Sequence, residues 1–142
     1  NRVSELISKI FELETNIRVQ KWKGKESTII VQVFGKILPL VFTKLFKIGK
    51  DSYSKRVPDF AYNVSPYLIK ALLNAYFVGD GSVHICRKGG RGVYAHTWTS
   101  SIDLLYGLDV LMLMCGIATR YSLTKNGYMM FVQGGRNLKK IR

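Results

Sequence analysis

Residues 65–82 read SPYLIKALLNAYFVGDGS, and they carry the helix and the acid from which the remaining sequence is interpreted. Ser65 is suited to cap a helix, and Pro66 fits its first turn, where a missing N–H leaves no hydrogen bond unmade. From Tyr67 to Val78 apolar side chains cover most of the helical surface, which predicts a buried helix rather than a half-exposed one. Ala75 and Gly79, four residues apart, share a small-residue face that would let another backbone approach closely. The helix then runs into Gly79-Asp80-Gly81. A carboxylate there opposes the helix dipole, at a cost of about 0.3–1 kcal/mol when exposed, and a cation is its simplest counterpart.

Outward from this stretch the chain alternates helices with hairpins. Upstream, residues 2–13 place Val3, Leu6, Ile7, Ile10, Phe11 and Leu13 on one helical stripe. Strands over 17–23 and 27–34 flank a turn at Gly24-Lys25-Glu26, and a helix starts at Lys36 with Pro39 in its first turn. Gly49 to Asn63 is polar and basic and reads as a linker. Downstream, 83–87 and 93–99 form a hairpin around Gly89-Gly90-Arg91-Gly92. Residues 102–114 form a helix capped by Ser100 or Ser101, and 118–125 and 128–133 flank an Asn126-Gly127 turn. The order helix, hairpin, helix start thus occurs twice, at 2–47 and again from 101 onward, which is an internal repeat.

Composition bounds the partners. A chain of 142 residues with 47% hydrophobic and 12% aromatic content folds around one core, or around two halves sharing one. No apolar run is long enough to span a membrane, since Asp109 interrupts the longest, and no secretory signal pattern opens the sequence. Cys86 and Cys115 have no metal-site spacing and read as structural thiols in a reducing compartment. Twenty-two Lys and Arg against nine acids leave +13, a charge that suits nucleic acid; a solvated basic face is the alternative, and charge does not separate DNA from RNA.

Leu73–Gly81, LNAYFVGDG, resembles the LAGLIDADG motif, with Asp80-Gly81 matching its terminal acid and glycine. The GDGS ending resembles the form common among homing endonucleases carried in archaeal and bacterial inteins. Lys55-Arg56-Val57-Pro58, Thr99-Ser100-Ser101 and the helix ending at Cys115-Gly116-Ile117 follow the same pattern. Asn74 and Val78 depart from it, Val78 replacing an acid often found there, but only the last acid is taken as catalytic. The resemblance implies an α/β (α+β) fold, with an antiparallel, saddle-shaped sheet under packed helices. By that template 64–142 is a nearly complete second repeat with its motif helix at 65–79. Residues 1–63 are the back part of a first repeat, helix-hairpin-helix and linker. The template then expects the missing motif helix and acid from a homodimer or from a further segment.

The implied function is a sequence-specific double-stranded DNA endonuclease that uses Mg2+, with Mn2+ as a substitute. The splicing parts of an intein, a leading nucleophile and a terminal His-Asn, are not among these residues. A non-cleaving or decayed DNA- or RNA-binding module, maturase-like, is the alternative. Asp80 is the implied catalytic metal ligand, with Gly79 beside it. Hard divalent ions held by few carboxylates activate water and neutralise phosphate charge. The resemblance also implies a basic residue near the scissile phosphate, for which Lys50 is the first choice and Lys55 the second; a solvated basic linker is the equal alternative. A β-ribbon can enter a major groove, where Arg reads guanine and Gln reads adenine. That directs attention to Arg18, Gln20, Thr28 and Gln32 in the first hairpin and His84, Arg87, Lys88, Arg91, His96 and Thr97 in the second. In the third, Arg120, Ser122, Thr124 and Gln133 share a face, with Tyr121, Leu123, Met130 and Val132 on the opposite one toward the helices. An ordinary solvent-facing sheet is the alternative for all three.

Overall fold

A computed structural model describes residues 2–22, 25–85 and 92–141. They form two compact units, residues 1–40 and 41–142.

In the first unit, α1 (Arg2–Phe11) is followed by the antiparallel strands β1 (Thr15–Trp22) and β2 (Lys25–Val33), then by a single turn of helix, α2 (Ile37–Leu40). Lys25 pairs with Trp22 and Glu26 with Lys21, so both belong to β2 and not to the expected turn. A bulge between Gln20 and Lys21 absorbs the odd residue. The apolar stripe expected on α1 is present, yet no residue of the helix is buried, and Val3, Leu6 and Ile10 are exposed.

The second unit opens with a π-helical turn, Val41–Leu45. The helix expected from Lys36 is therefore present but changes from α to π at Val41: the N–H of Phe46 donates to the carbonyl of Val41, five residues back. The wider turn sets Phe46 edge-on to both Phe42 and Phe60. Next come a loop and a 3-10 turn, Asp59–Asn63, within the region expected as linker. This region is part of the core: Val57 and Ala61 are buried with the helices. The reason is Gly107, where even a Cβ would lie 2.7 Å from Val57 and 2.8 Å from the Tyr62 hydroxyl.

Then follow α3 (Pro66–Asp80), β3 (Gly81–Ile85), β4 (Val93–Thr99), α4 (Ile102–Met114), β5 (Thr119–Thr124), β6 (Gly127–Gln133) and α5 (Gly135–Ile141). Pro66 opens α3 as expected, whereas the Ser65 side chain makes no capping bond. Ser101 caps α4 by accepting from the Leu104 N–H. The four strands form one antiparallel sheet in the order β3-β4-β6-β5. Ala95, Met130 and Val132 point from the sheet into a core built mainly on α4, whose Leu104, Leu105, Leu108, Leu111 and Met112 are buried; α3 adds Ile69 and Leu73.

Candidate metal and nucleic-acid site

Asp80 is the last residue of α3, and the chain enters β3 directly at Gly81. A Cβ on Gly81 would sit 2.4 Å from the Phe77 carbonyl oxygen, so the helix-to-strand turn is too tight for a side chain. Gly79 has nothing within 4 Å of where a Cβ would lie. The Asp80 side chain is exposed, and among the described residues no cation or hydrogen-bond donor pairs with it. It lines a cavity of about 340 Å3 together with Lys55, Tyr76, Trp98 and Ser100. Among the described residues no group of three His, Cys, Asp or Glu converges, so Asp80 could supply one ligand of a divalent site and not a complete set.

Of the two lysines, Lys55 is the one beside Asp80. Lys50 lines a neighbouring cavity with Asp51, Ser52 and Lys55. The loop carrying both is held rather than free. Asp51 Oδ1 accepts from the N–H groups of Tyr53 (2.9 Å) and Ser54 (2.8 Å), and Ser54 Oγ accepts from those of Lys50 and Asp51. These bonds, Ser54 first, hold the Asp51 carboxyl below the ordinary carboxylate value. Gly49, at φ +88°, passes so close to the Ser54 carbonyl that no side chain fits. From β4 onward Ser100 Oγ donates to the Ser52 carbonyl (2.9 Å) and Ser101 Oγ to that of Lys55 (2.5 Å).

Two residues stand behind Asp80: Tyr76, which the sequence did not single out, and Thr97, which it placed among the DNA-reading residues. Thr97 Oγ1 lies 3.1 Å from the Tyr76 hydroxyl oxygen and 3.3 Å from the Asp80 carbonyl oxygen. Thr97 is 2% exposed and pairs with Gly81 and Met130, on the helix side of the sheet. Its expected place among the DNA-reading residues is therefore corrected. Neighbours along a strand point to opposite faces, so His96 and Thr97 cannot share one. Burial, the largest cause, pushes the Tyr76 phenol above its ordinary value, and the nearby Asp80 charge raises it further.

The other face of this sheet is open. Register places Ser82 and His84 of β3, Tyr94, His96 and Trp98 of β4, Met129, Phe131 and Gln133 of β6, and Arg120, Ser122 and Thr124 of β5 upon it. At its centre His84 stacks on Tyr94 (centroids 5.4 Å apart) and on His96 (4.9 Å), and Phe131 stands 6.0 Å from His96. The Nδ1 of His96 is buried with no partner. Arg120, Ser122, Thr124 and Gln133 share this face as expected. The pairing differs: Thr124, not Lys125, opposes the strand start, at Gly127. Gly127 is drawn into β6 because it lies against Trp98 and the Thr99 carbonyl, where a Cβ would come within 2.5 Å. Tyr121 and Leu123 do share the face of Met130 and Val132, yet they are exposed, since β5 is the sheet edge. In the first unit Arg18, Gln20, Thr28 and Gln32 lie on one face of the hairpin by register. Arg87, Lys88 and Arg91 lie outside the described residues.

A family model for the LAGLIDADG-like domain matches residues 68–142, from the first turn of α3 to the end of the chain. The chain belongs to the LAGLIDADG-like family. Over 97 residues it is 46% identical to the DNA polymerase II large subunit of Thermococcus kodakarensis, covering 68% of this chain and 5% of that protein. Over 88 residues it is 26% identical to the DNA-directed RNA polymerase subunit Rpo1C of Methanocaldococcus jannaschii, covering 62% of this chain and 10% of that one. The chain thus matches about a twentieth and a tenth of these relatives' lengths. Two solved structures share the fold. One, of mesophilic variants of the homing endonuclease I-DmoI, has a TM-score of 0.63 at 13% identity over 99% of this chain and 68% of that one. The other, I-DmoI in complex with DNA and Mn, has a TM-score of 0.61 at 13% identity over 97% and 67%. The mixed helical and antiparallel-sheet architecture of this LAGLIDADG chain is the one those structures have.

Proposed function

We propose that this chain is the DNA-binding and DNA-cleaving part of a homing endonuclease that hydrolyses phosphodiester bonds in duplex DNA with a divalent metal. The observation that carries the reading is the unpaired carboxylate of Asp80, exposed at the negative end of α3 in a cavity that also holds Lys55. An unpaired acid opposing the helix dipole suits a cation. Family membership and the likeness to a homing endonuclease crystallised with DNA and Mn support it. Mg2+ is the assigned ion, with Mn2+ able to replace it; when bound, it activates water and neutralises phosphate charge. Asp80 holds it, open Gly79 leaves room for approach, and Lys55, ahead of Lys50, offers charge to the phosphate.

Duplex DNA lies against the open sheet face in this reading. His84 stacks on Tyr94 and on His96, so part of these ring faces is engaged within the cluster. Edges suit groove contacts with base pairs, whereas a single-strand platform needs free ring faces. Arg120 and Gln133 are the base readers, and the hairpin face of Arg18, Gln20, Thr28 and Gln32 is assigned likewise. Ala75 and Gly79 lie on an open face of α3 with Leu68, Ala71 and Val78, exposed and apolar or small, and this face takes a second motif helix. A second copy of this chain, or a segment carrying a first repeat, supplies it along with a second acid. The repeat boundary then falls between 63 and 64. Recurrence of this stretch as a small part of two different polymerase subunits supports a portable, intein-borne origin, and with that origin we propose a cytoplasmic setting.

Among the described residues no three His, Cys, Asp or Glu converge, which favours, for this chain acting alone, the non-cleaving DNA-binding alternative. A nicking and double-strand cleavage assay on a site selected by binding separates the two. Cleavage in Mg2+ or Mn2+ that Asp80→Asn abolishes supports the nuclease. Absence of cleavage on every selected site, with salt-sensitive binding retained, moves the function to the alternative.

A further inference from the structure

The last carbonyls of a helix have no partner within it, and the final one here belongs to the residue whose side chain matters most. The carbonyl of Asp80 meets the hydroxyl of Thr97 at 3.3 Å, and the same hydroxyl meets that of Tyr76 at 3.1 Å. Thr97 has a single hydroxyl proton, and a carbonyl only accepts. Both bonds form together in one arrangement: Tyr76 donates to Thr97, and Thr97 donates to Asp80. Burial keeps the Tyr76 phenol protonated and able to donate. Thr97 is itself almost fully buried, so water does not compete for these bonds.

We infer that Thr97, with Tyr76 behind it, is a positioning residue that ties the end of α3 to β4 and thereby aims the Asp80 carboxylate into its cavity. The chain Tyr76 to Thr97 to Asp80 links an interior turn of the helix to its terminus through a neighbouring strand. Tyr76 and Asp80 line the same cavity, so both ends of the chain border the space where a cation would sit. With its proton committed to Thr97, the Tyr76 oxygen, which borders that space, keeps a lone pair able to accept a hydrogen bond from a water there. The inference rests on the assignment of Asp80 as a metal ligand, and the experiment is chosen to separate the two.

Mn2+ is titrated into the full chain bound to a duplex, and paramagnetic broadening of the backbone amide signals of residues 79–82 is followed by NMR, a readout that needs no cleavage. The native chain shows broadening that Asp80→Asn removes. Thr97→Val, isosteric but without a donor, shifts the Mn2+ midpoint upward by roughly three- to tenfold, the worth of one carbonyl hydrogen bond. Duplex affinity stays within about twofold in the same sample, because Thr97 does not reach the open face. Thr97→Ser restores the midpoint, which a purely packing role for the methyl group would not allow. Tyr76→Phe gives a smaller shift, since Thr97 keeps its own proton for Asp80. Native-like midpoints in Thr97→Val and Tyr76→Phe, with Asp80→Asn still abolishing broadening, overturn the positioning role and leave the metal assignment standing. Should Thr97→Val fail to fold, the Tyr76→Phe and Thr97→Ser midpoints decide: no shift in Tyr76→Phe, or a Thr97→Ser midpoint raised roughly threefold or more, overturns it. Broadening that is absent in the native chain, or that survives Asp80→Asn, overturns the metal assignment itself.

Discussion

Helices α3 and α4 read alike in sequence, both long, apolar and nearly free of charge, and the structure uses them differently. Six residues of α4 are buried, against two of α3, Ile69 and Leu73. One face of α3 packs on α4; the other, running through Leu68, Ala71, Ala75, Val78 and Gly79, stays open. Neither helix is buried all round: α4 buries one broad face and leaves Ile102, Tyr106, Val110, Leu113 and Met114 exposed, and α3, expected to be a buried helix, buries less still. Apolar content measures how much surface a helix can bury, and the neighbours present decide how much of it does. The open face of α3 runs to the exposed acid Asp80 and is assigned to an interaction, while the buried face of α4 belongs to the core.

The comparison is broken most decisively at Asp80. Asp80→Asn should abolish metal-dependent cleavage while leaving duplex affinity and thermal stability unchanged, because the side chain keeps its shape and has no partner to lose among the described residues. A wild-type cleavage rate in this variant would return α3 to the role of an ordinary core helix.

Stability should show the reverse pattern on α4. Leu111→Ala is expected to cost about 2–5 kcal/mol in a urea titration, since Leu111 is fully buried. Leu68→Ala on the open face of α3 should stay within about 0.5 kcal/mol in the chain alone. Equal costs at both positions would mean that the α3 face is covered.

The two helical glycines sharpen the contrast further. Gly107→Ala drives a Cβ into Val57 and Tyr62 and should destabilise by about 1–3 kcal/mol. Gly79→Ala meets nothing and should stabilise the isolated chain by up to about 1 kcal/mol, since glycine is a poor helix former. Ala75→Leu and Gly79→Leu should lose 1–3 kcal/mol, in rough terms, only when the second motif helix is supplied, which makes sedimentation with and without that partner the informative measurement.

The smallest expected effect lies in the loop beside α4. Arg56 (2.7 Å) and Lys47 (3.3 Å) flank Asp59 and hold its carboxyl below the ordinary value. A depressed folded-state value means that the stabilisation is complete above the unfolded value, near about pH 4, and is lost as pH falls through the folded one. Asp59→Asn should therefore flatten the decline of the denaturation midpoint below about pH 4 and change little at neutrality. An unaltered acid limb would show that this exposed pair does not support the loop.

Much of the site was legible because local chemistry carries it. Period-3.6 and period-2 patterns, Pro66 at a helix start, Ser101 before an apolar run and Asn126 beside Gly127 act within a few residues of themselves. From them the sequence by itself determined the extents of α3 and α4, the three hairpins, the place of Asp80 at a helix end and the common face of Arg120, Ser122, Thr124 and Gln133. What depends on a distant neighbour was decided only in three dimensions. Thr97 faces inward because β4 pairs with β3 and β6 in one register. Val57 and Ala61 became core because Gly107 lets their segment approach α4, and Gly127 left its turn because Trp98 lies beside it. Lys55 replaced Lys50 beside Asp80 because Ser100 and Ser101 draw the preceding loop onto the start of α4. Periodicity states which faces exist; whether a face is covered, open or brought to a carboxylate is settled by contacts that no window of sequence contains.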